Sequence, residues 1–241
     1  MFSLKKKWPD SLSLDLDSGL VEVQVKIHAR AKNYRLSIGA NGRPVLTSPP
    51  YGNISKAKEF LQSHSGWLEK KLSNRYQPVA FAHGNQIPLR GENHIIVGLD
   101  KIRGQVEVLN NEQGLELLVP GGEKHLQRRL KDWLKKQAKM DLEKSVSLHA
   151  NNLNVEPKTI TIRSQSSRWG SCSSSGRLNF NWRLILAPNF VLDYVGAHEV
   201  AHLVEMNHSP AFWEQVELTL PDMARGRDWL KKNGQQLMAY G

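Results

Sequence analysis

The chain has one cysteine, Cys172, in 241 residues. A single thiol excludes an internal disulfide and any cysteine-rich zinc knuckle. No apolar run approaches the roughly 18 residues that a membrane-crossing helix needs. The lysines of the N-terminal stretch MFSLKKKWPDSLSLDLDSGL are not followed by an apolar segment of signal-peptide length. These absences point to a cytoplasmic protein with no membrane partner. Negative charge is scarce as well: 23 acidic residues face 33 basic ones, a net charge of +10. That excess suits a polyanionic partner such as nucleic acid, and suits equally a solvated basic surface. What is present, 39% hydrophobic residues in a chain of this length, suffices for one large core or two small ones.

The pattern changes along the chain. Residues 1–19 read as a loose polar arm. VEVQVKI (21–27) alternates apolar and polar residues, as a half-buried strand does. YRLSIGANGRPVLTSP (34–49) reads as two short strands about an Asn41-Gly42 turn. From 55 onward Ala57, Phe60, Leu61, Trp67, Leu68 and Leu72 recur at helical spacing, with Asn53 or Ser55 as the cap. Further strands are expected at 93–99, 104–109 and 115–120. Pro120-Gly121-Gly122 is the clearest break. It suggests a β-rich N-terminal subdomain with one helix over 1–120 and a second domain over 121–241.

Beyond the break, Leu126, Leu130, Trp133, Leu134, Ala138, Leu142 and Val146 trace one face of a long helix. Its other face carries Arg128, Arg129, Lys131, Lys135, Lys136 and Lys139, a phosphate-binding patch or a solvated face. KTITIRS (158–164) reads as a strand. RWGSC (168–172), the turn 173–176 and RLNFNWRLIL (177–186) read as a hairpin. A helix is expected from about Val191 through His202.

The segment AHEVAHLVEMNHSPAFW (197–213) holds three of the nine histidines. His198 and His202 stand four apart, one helical turn, so both imidazoles can face one ion. Zinc prefers four ligands and takes neutral imidazole nitrogen at about 2.0–2.1 Å. His208 is the natural third ligand, provided the helix ends near Glu205–Asn207. Ser209 and Pro210 then read as cap and first residue of another helix. Glu199 separates catalysis from mere structure: its carboxylate can take a proton from water at an open coordination position. Glu205 is a rival ligand or an acceptor for an imidazole N–H. Tyr194, one turn before His198, also faces the metal and is a candidate to hydrogen-bond a tetrahedral intermediate, with a core tyrosine as the alternative.

With RWGSC, LNFNWRLILAP, DYVGAHEVAHLVEMNHSPAFW and HARAKNYRLSI placed, the chain resembles the YgjP-like metallopeptidases, small zincins related to the SprT-like and Wss-type proteases. The resemblance spans about residues 20–235. It implies an α+β fold: a minimal zincin-like domain of a small sheet, the HExxH helix and a long supporting helix. It implies one Zn2+ per chain on His198, His202 and His208, with Glu199 as general base. The spacing also equals the metzincin HExxHxxGxxH, but Glu205 stands where metzincins need glycine, and Met223 suits core packing better than a Met-turn.

In zincins an edge strand above the metal pairs with extended peptide. Trp169, Gly170 and Ser171 suit that role, glycine permitting close backbone approach; a buried hairpin corner is the alternative. Arg168 is a candidate for polarising a carbonyl or binding a substrate carboxylate, against the commoner surface salt bridge. Cys172, Trp182, Phe212 and Trp213 are most simply core. The leading expectation is a zinc metallopeptidase acting on protein or peptide. The alternatives are a SprT-like protease recruited to nucleic acid through the basic surface, and a non-enzymatic nucleic-acid-binding protein with a structural zinc.

Overall fold

The computed structural model describes residues 8–39, 42–73, 78–112 and 114–241. It is α+β, and its compact units are Met1–Arg75 and Tyr76–Gly241.

The first unit is a four-stranded sheet backed by two helices. Strands β1 (Ser11–Leu16) and β2 (Gly19–Ile27) form an antiparallel hairpin, as do β3 (Arg35–Ile38) and β4 (Pro44–Ser48). The two hairpins join through parallel β2 and β4, giving the order β1-β2-β4-β3. The expected polar arm thus contains a strand. In SLSLDL leucine recurs every second residue, and Leu12 and Leu14 are both buried against Val23, Leu46 and Leu61. Gly42 has φ +72°, and Asn41 lies outside the described residues. The helix expected from 55 is two, α1 (Ile54–Ser63) and α2 (Ser65–Ser73), broken at His64. Asn53 caps α1, its side chain accepting from Ser55 N at 2.7 Å. The break turns Trp67 outward and leaves Leu68 in the core.

The second unit begins with another sheet of the same plan. Strands β5 (Gln86–Leu89), β6 (Glu92–Leu99), β7 (Glu107–Asn111) and β8 (Gly114–Pro120) lie in the order β5-β6-β8-β7, with β6 and β8 parallel. β5 was not expected, since Pro88 demotes a four-residue run; it sits at the sheet edge, where a proline is tolerated. Its tight turn into β6 places Arg90 (φ 53°) and Gly91 (φ 87°) in the left-handed region. The Arg90 guanidinium then grips Asp141 at 2.8 and 3.0 Å and Gln137 at 3.0 Å.

Those partners lie on α3 (Glu123–Asn152), whose buried stripe is Leu126, Leu130, Leu134, Ala138, Leu142, Val146 and Ala150. Steps of four on a helix with 3.6 residues per turn drift by about 40° each, so the stripe winds around the rod. The helix packs on β6, β8 and α4 (Asn189–Ala201), with Leu126 against Gly98 of β6 and Ser145 against Gly196 of α4. One hydrophobic cluster runs from Phe81, Ile96 and Val119 through the α3 stripe to Phe180 and Val195. The compact units therefore divide at Arg75/Tyr76, not at the 120/121 break. Pro120-Gly121-Gly122 turns the chain within a shared core.

The remaining sheet is β10-β11-β9. Strand β11 (Arg177–Asn181) pairs antiparallel with β10 (Gly170–Cys172) and parallel with β9 (Thr159–Arg163). Trp182–Leu186 forms a short 3₁₀ helix, followed by α4, α5 (Pro210–Thr219) and α6 (Met223–Leu237). Helix α4 is apolar nearly all round and sits inside the unit. Gly196 lets it approach α3 closely: a Cβ there would overlap Ser145 Oγ. A half-buried chain of hydrogen bonds ties the two helices. His149 Nε2 and Ser145 Oγ both reach Asp193 Oδ1, at 3.0 and 2.7 Å, and His149 Nδ1 meets Thr219 Oγ1 of α5 at 2.7 Å. Both hydrogen bonds hold the Asp193 carboxyl below the usual carboxylate range, against the opposing effect of burial. No helix among the described residues is long and apolar enough to cross a membrane.

Candidate metal centre

Helix α4 ends at Ala201 with His202 as its cap, within a residue of the span expected through His202, and its last hydrogen bond, Glu205 N to Ala201 O at 3.0 Å, reaches the expected elbow at 205–207. Residues 202–207 run on as turns, without a left-handed Asn207. Ser209 caps α5 as expected, its hydroxyl accepting from Phe212 N at 3.4 Å, with Pro210 as the first helical residue. The elbow brings three histidines together: one nitrogen from each of His198, His202 and His208 lies within 4.8 Å of the other two.

The nitrogens present themselves as ligands. His198 Nε2 and His208 Nε2 are 3.1 Å apart. Two nitrogens each about 2.0–2.1 Å from one tetrahedral ion would stand about 3.4 Å apart. His202 Nδ1 lies 3.1 Å from the Glu205 carbonyl. That acceptor fixes the proton on Nδ1 and leaves Nε2 with a free lone pair. Glu205 thus serves through its backbone, while its carboxylate accepts from Asn207 N at 3.1 Å. Burial, with His202 and His208 beside it, pushes the His198 pKa down to about 3. Burial likewise lowers that of His202. Both rings are then neutral at ordinary pH, as a ligand must be. His198 Nδ1 is buried and without a partner.

Phe212 organises the three rings. It is fully buried, stacks on His202 at 4.4 Å between centroids, and meets His198 and His208 edge-on at 4.9 and 4.8 Å. Reading it as plain core missed this. The available signal was its place one turn into the helix that begins just after His208. Trp213 lies along the outer side, 5.9 Å from His198 and 6.0 Å from His208.

Glu199 is 5% exposed, and its Oε2 has no hydrogen-bond partner. Burial raises its pKa to about 8, while the charge of Arg168 pulls the other way. Gly170 lies directly against the carboxylate: a Cβ at 170 would overlap Oε1 and come within 2.6 Å of Cγ and Cδ. β10 is an edge strand in contact with Glu199. Ser171 Oγ accepts from Asn179 at 3.4 Å. Trp169 turns away, packing on Gly234 of α6. Cys172 donates to Ser173 O at 3.4 Å and stands outside the histidine cluster; burial and Glu199 push its thiol up to about 11.

Asn181, fully buried, holds the 165–169 loop. Its Nδ2 donates to Gln165 O (2.7 Å) and Arg168 O (3.3 Å), and its backbone N–H to Trp169 O (2.8 Å). The Tyr194 ring lies edge-on to His198 at 5.9 Å, and burial raises its pKa. Met223 and Trp182 pack in the core as expected.

A family model described as YgjP-like, metallopeptidase domain, matches residues 32–233. No curated protein matches the chain. Among solved structures, the metallopeptidase zymogen of Pyrococcus abyssi abylysin is similar at 21% identity and a TM-score of 0.37. The match covers 39% of this chain and 95% of that one, a likeness too slight to transfer anything from.

Proposed function

The chain belongs to the YgjP-like metallopeptidase family, and from that membership we propose that it is a zinc-dependent peptidase with Glu199 as its general base. One Zn2+ per chain is held by His198, His202 and His208. The observation that carries this reading is the convergence of three imidazole nitrogens beside a buried, partnerless carboxylate. A site with only structural duty would have four protein ligands and no use for Glu199.

Bound zinc supplies Lewis acidity, polarising a carbonyl and making water more acidic. The protein's own groups do the rest. The free edge of β10 binds extended substrate by backbone pairing, and Gly170 gives the substrate chain room beside Glu199. Glu199 takes the proton of the attacking water and delivers it to the leaving amine, with no covalent enzyme intermediate. Arg168 favours the ionised form that accepts the proton. His202 is held in its ligating tautomer by the Glu205 carbonyl.

The test is paired. Wild type and Glu199→Gln should each carry about one zinc per chain. The variant should cleave a peptide library at least about a hundredfold more slowly. Equal turnover would remove Glu199 from the mechanism, and a zinc-free wild type would remove the metal.

A further inference from the structure

The positive charge is not where the long helix suggested. Residues 1–75 carry thirteen lysines and arginines against six acidic residues, while the other 166 carry twenty against seventeen. On α3 much of the basic face is already engaged. Arg128 pairs with Asp132 and Lys139 with Glu143, each at 3.6 Å. Arg129 donates to Ile102 O at 3.0 Å and Lys131 to Gly241 O at 2.9 Å. In the first unit, Arg30, Lys32, Arg35, Lys56 and Lys58 have no ion-pair partner among the described residues.

The same unit holds a groove of about 470 Å³ lined by Lys32, Tyr34, Tyr51, Lys56 and Phe60, among others. Tyr51 is 74% exposed, yet it is held at both ends. It sits in a turn after two prolines, closed by Gly52 N donating to Pro49 O at 3.0 Å, and its hydroxyl donates to Lys32 O at 3.2 Å. Proline fixes φ, so the turn is stiff. An exposed ring gains nothing from burial, and holding it still costs rotamer freedom. Tyr34 lines the wall with its hydroxyl 2.9 Å from Asn53 O, and its ring lies 5.8 Å from that of Phe60.

We propose that this groove binds single-stranded nucleic acid, a base stacking on Tyr51 and backbone phosphates lying along Lys32 and Lys56. A fixed aromatic face offers any base a platform, and lysines spaced along a groove track phosphates; together they make a sequence-tolerant single-strand site. A duplex keeps its bases stacked internally and cannot use the tyrosine. An acidic peptide would satisfy the lysines but leave the ring unused. This inference stands apart from the peptidase reading, since it concerns binding with no hydrolysis.

The experiment is fluorescence anisotropy of labelled oligothymidylate of about 12 nucleotides titrated with the full chain across a salt series. Tyr51→Ala should weaken binding roughly 5- to 150-fold, and Tyr51→Phe, which keeps the stacking face, should stay near wild type. Lys32→Glu combined with Lys56→Glu should reduce the slope of log K against log salt by roughly 0.7 for each phosphate no longer neutralised. Lys135→Glu with Lys136→Glu on α3 should leave binding nearly unchanged, and circular dichroism checks that each variant is folded. Oligouridylate in place of oligothymidylate should bind comparably, since neither stacking nor phosphate pairing reads the sugar. The proposal is overturned if the oligonucleotide does not bind, if Tyr51→Ala binds as well as wild type, or if the α3 variant alone loses affinity. It is overturned equally if duplex or polyglutamate competes as well as single strand.

Discussion

At the scale of single residues, the histidine segment was legible because it is local. Four-residue spacing puts His198 and His202 on one face in any helix, and Ser209-Pro210 marks the restart that brings His208 round. Phe212 was not legible, because sequence gives an aromatic residue no sign of which rings it will touch. Phe212→Ala should cost about 3–5 kcal/mol in stability and reduce zinc affinity by about 10- to 100-fold. Denaturant unfolding and competition with a chelator measure the two. Gly170→Ala should retain zinc but displace the Glu199 carboxylate, cutting turnover by about a hundredfold. Two of the shifted groups, His198 and Glu199, act on the stability of the metal-free chain in opposite directions. His198 stays neutral down to about pH 3, so below its ordinary value of 6.5 the unfolded chain binds a proton that the folded chain refuses, and stability falls as pH falls. Glu199 keeps its proton up to about pH 8, so above its ordinary value of 4.5 stability falls as pH rises. These two contributions oppose each other between 4.5 and 6.5, leaving Glu199 alone to set the decline from 6.5 to 8. Glu199→Gln should abolish that upper decline in chemical denaturation of the chelated protein.

At the scale of elements, strands and helices were legible where their periodicity ran long enough. The α3 stripe was predicted from 126 to 146, and its continuation to Ala150 follows the same spacing. Short elements were less legible. β1 looked polar because serine and aspartate alternate with its leucines, and β5 is four residues with a proline. The end of α4 was legible: the helix stops at Ala201 with His202 as its cap, and Glu205 N still donates to Ala201 O at 3.0 Å before the chain turns to His208. The RWGSC loop depends on a residue outside it. Asn181→Ala would leave Gln165 O and Arg168 O without their donor. It should cost about 1–3 kcal/mol, read by denaturant unfolding, and it should lower kcat by loosening the loop that carries Arg168 and leads into β10.

At the scale of the whole molecule, two compact units predict more than one unfolding event. The expected division at 120/121 followed composition, whereas the core follows packing, and Ile96 and Leu117 share a cluster with Leu130 and Leu134. Strand order repeats, hairpin-parallel-hairpin, in the sheets of the two units, although the sequence shows no internal repeat. Calorimetry should resolve two transitions, of which zinc moves only that of residues 76–241. At about a hundred times its Kd, zinc adds about 2.7 kcal/mol to that unit, or roughly 5–11 °C. A single transition moving as one would contradict the division.

The clasp of Ser145 and His149 on Asp193 has a bearing on how the ion arrives. The helix that bears His198 and is capped by His202 is bolted to a thirty-residue rod by bonds that owe nothing to the ion. The empty protein is then a mould already set, and cation uptake is a capture event with no refolding step. Amide exchange along 189–201 should be nearly as slow after chelation as before it, and His149→Ala, which unbolts the rod, should be what makes those protons exchange quickly.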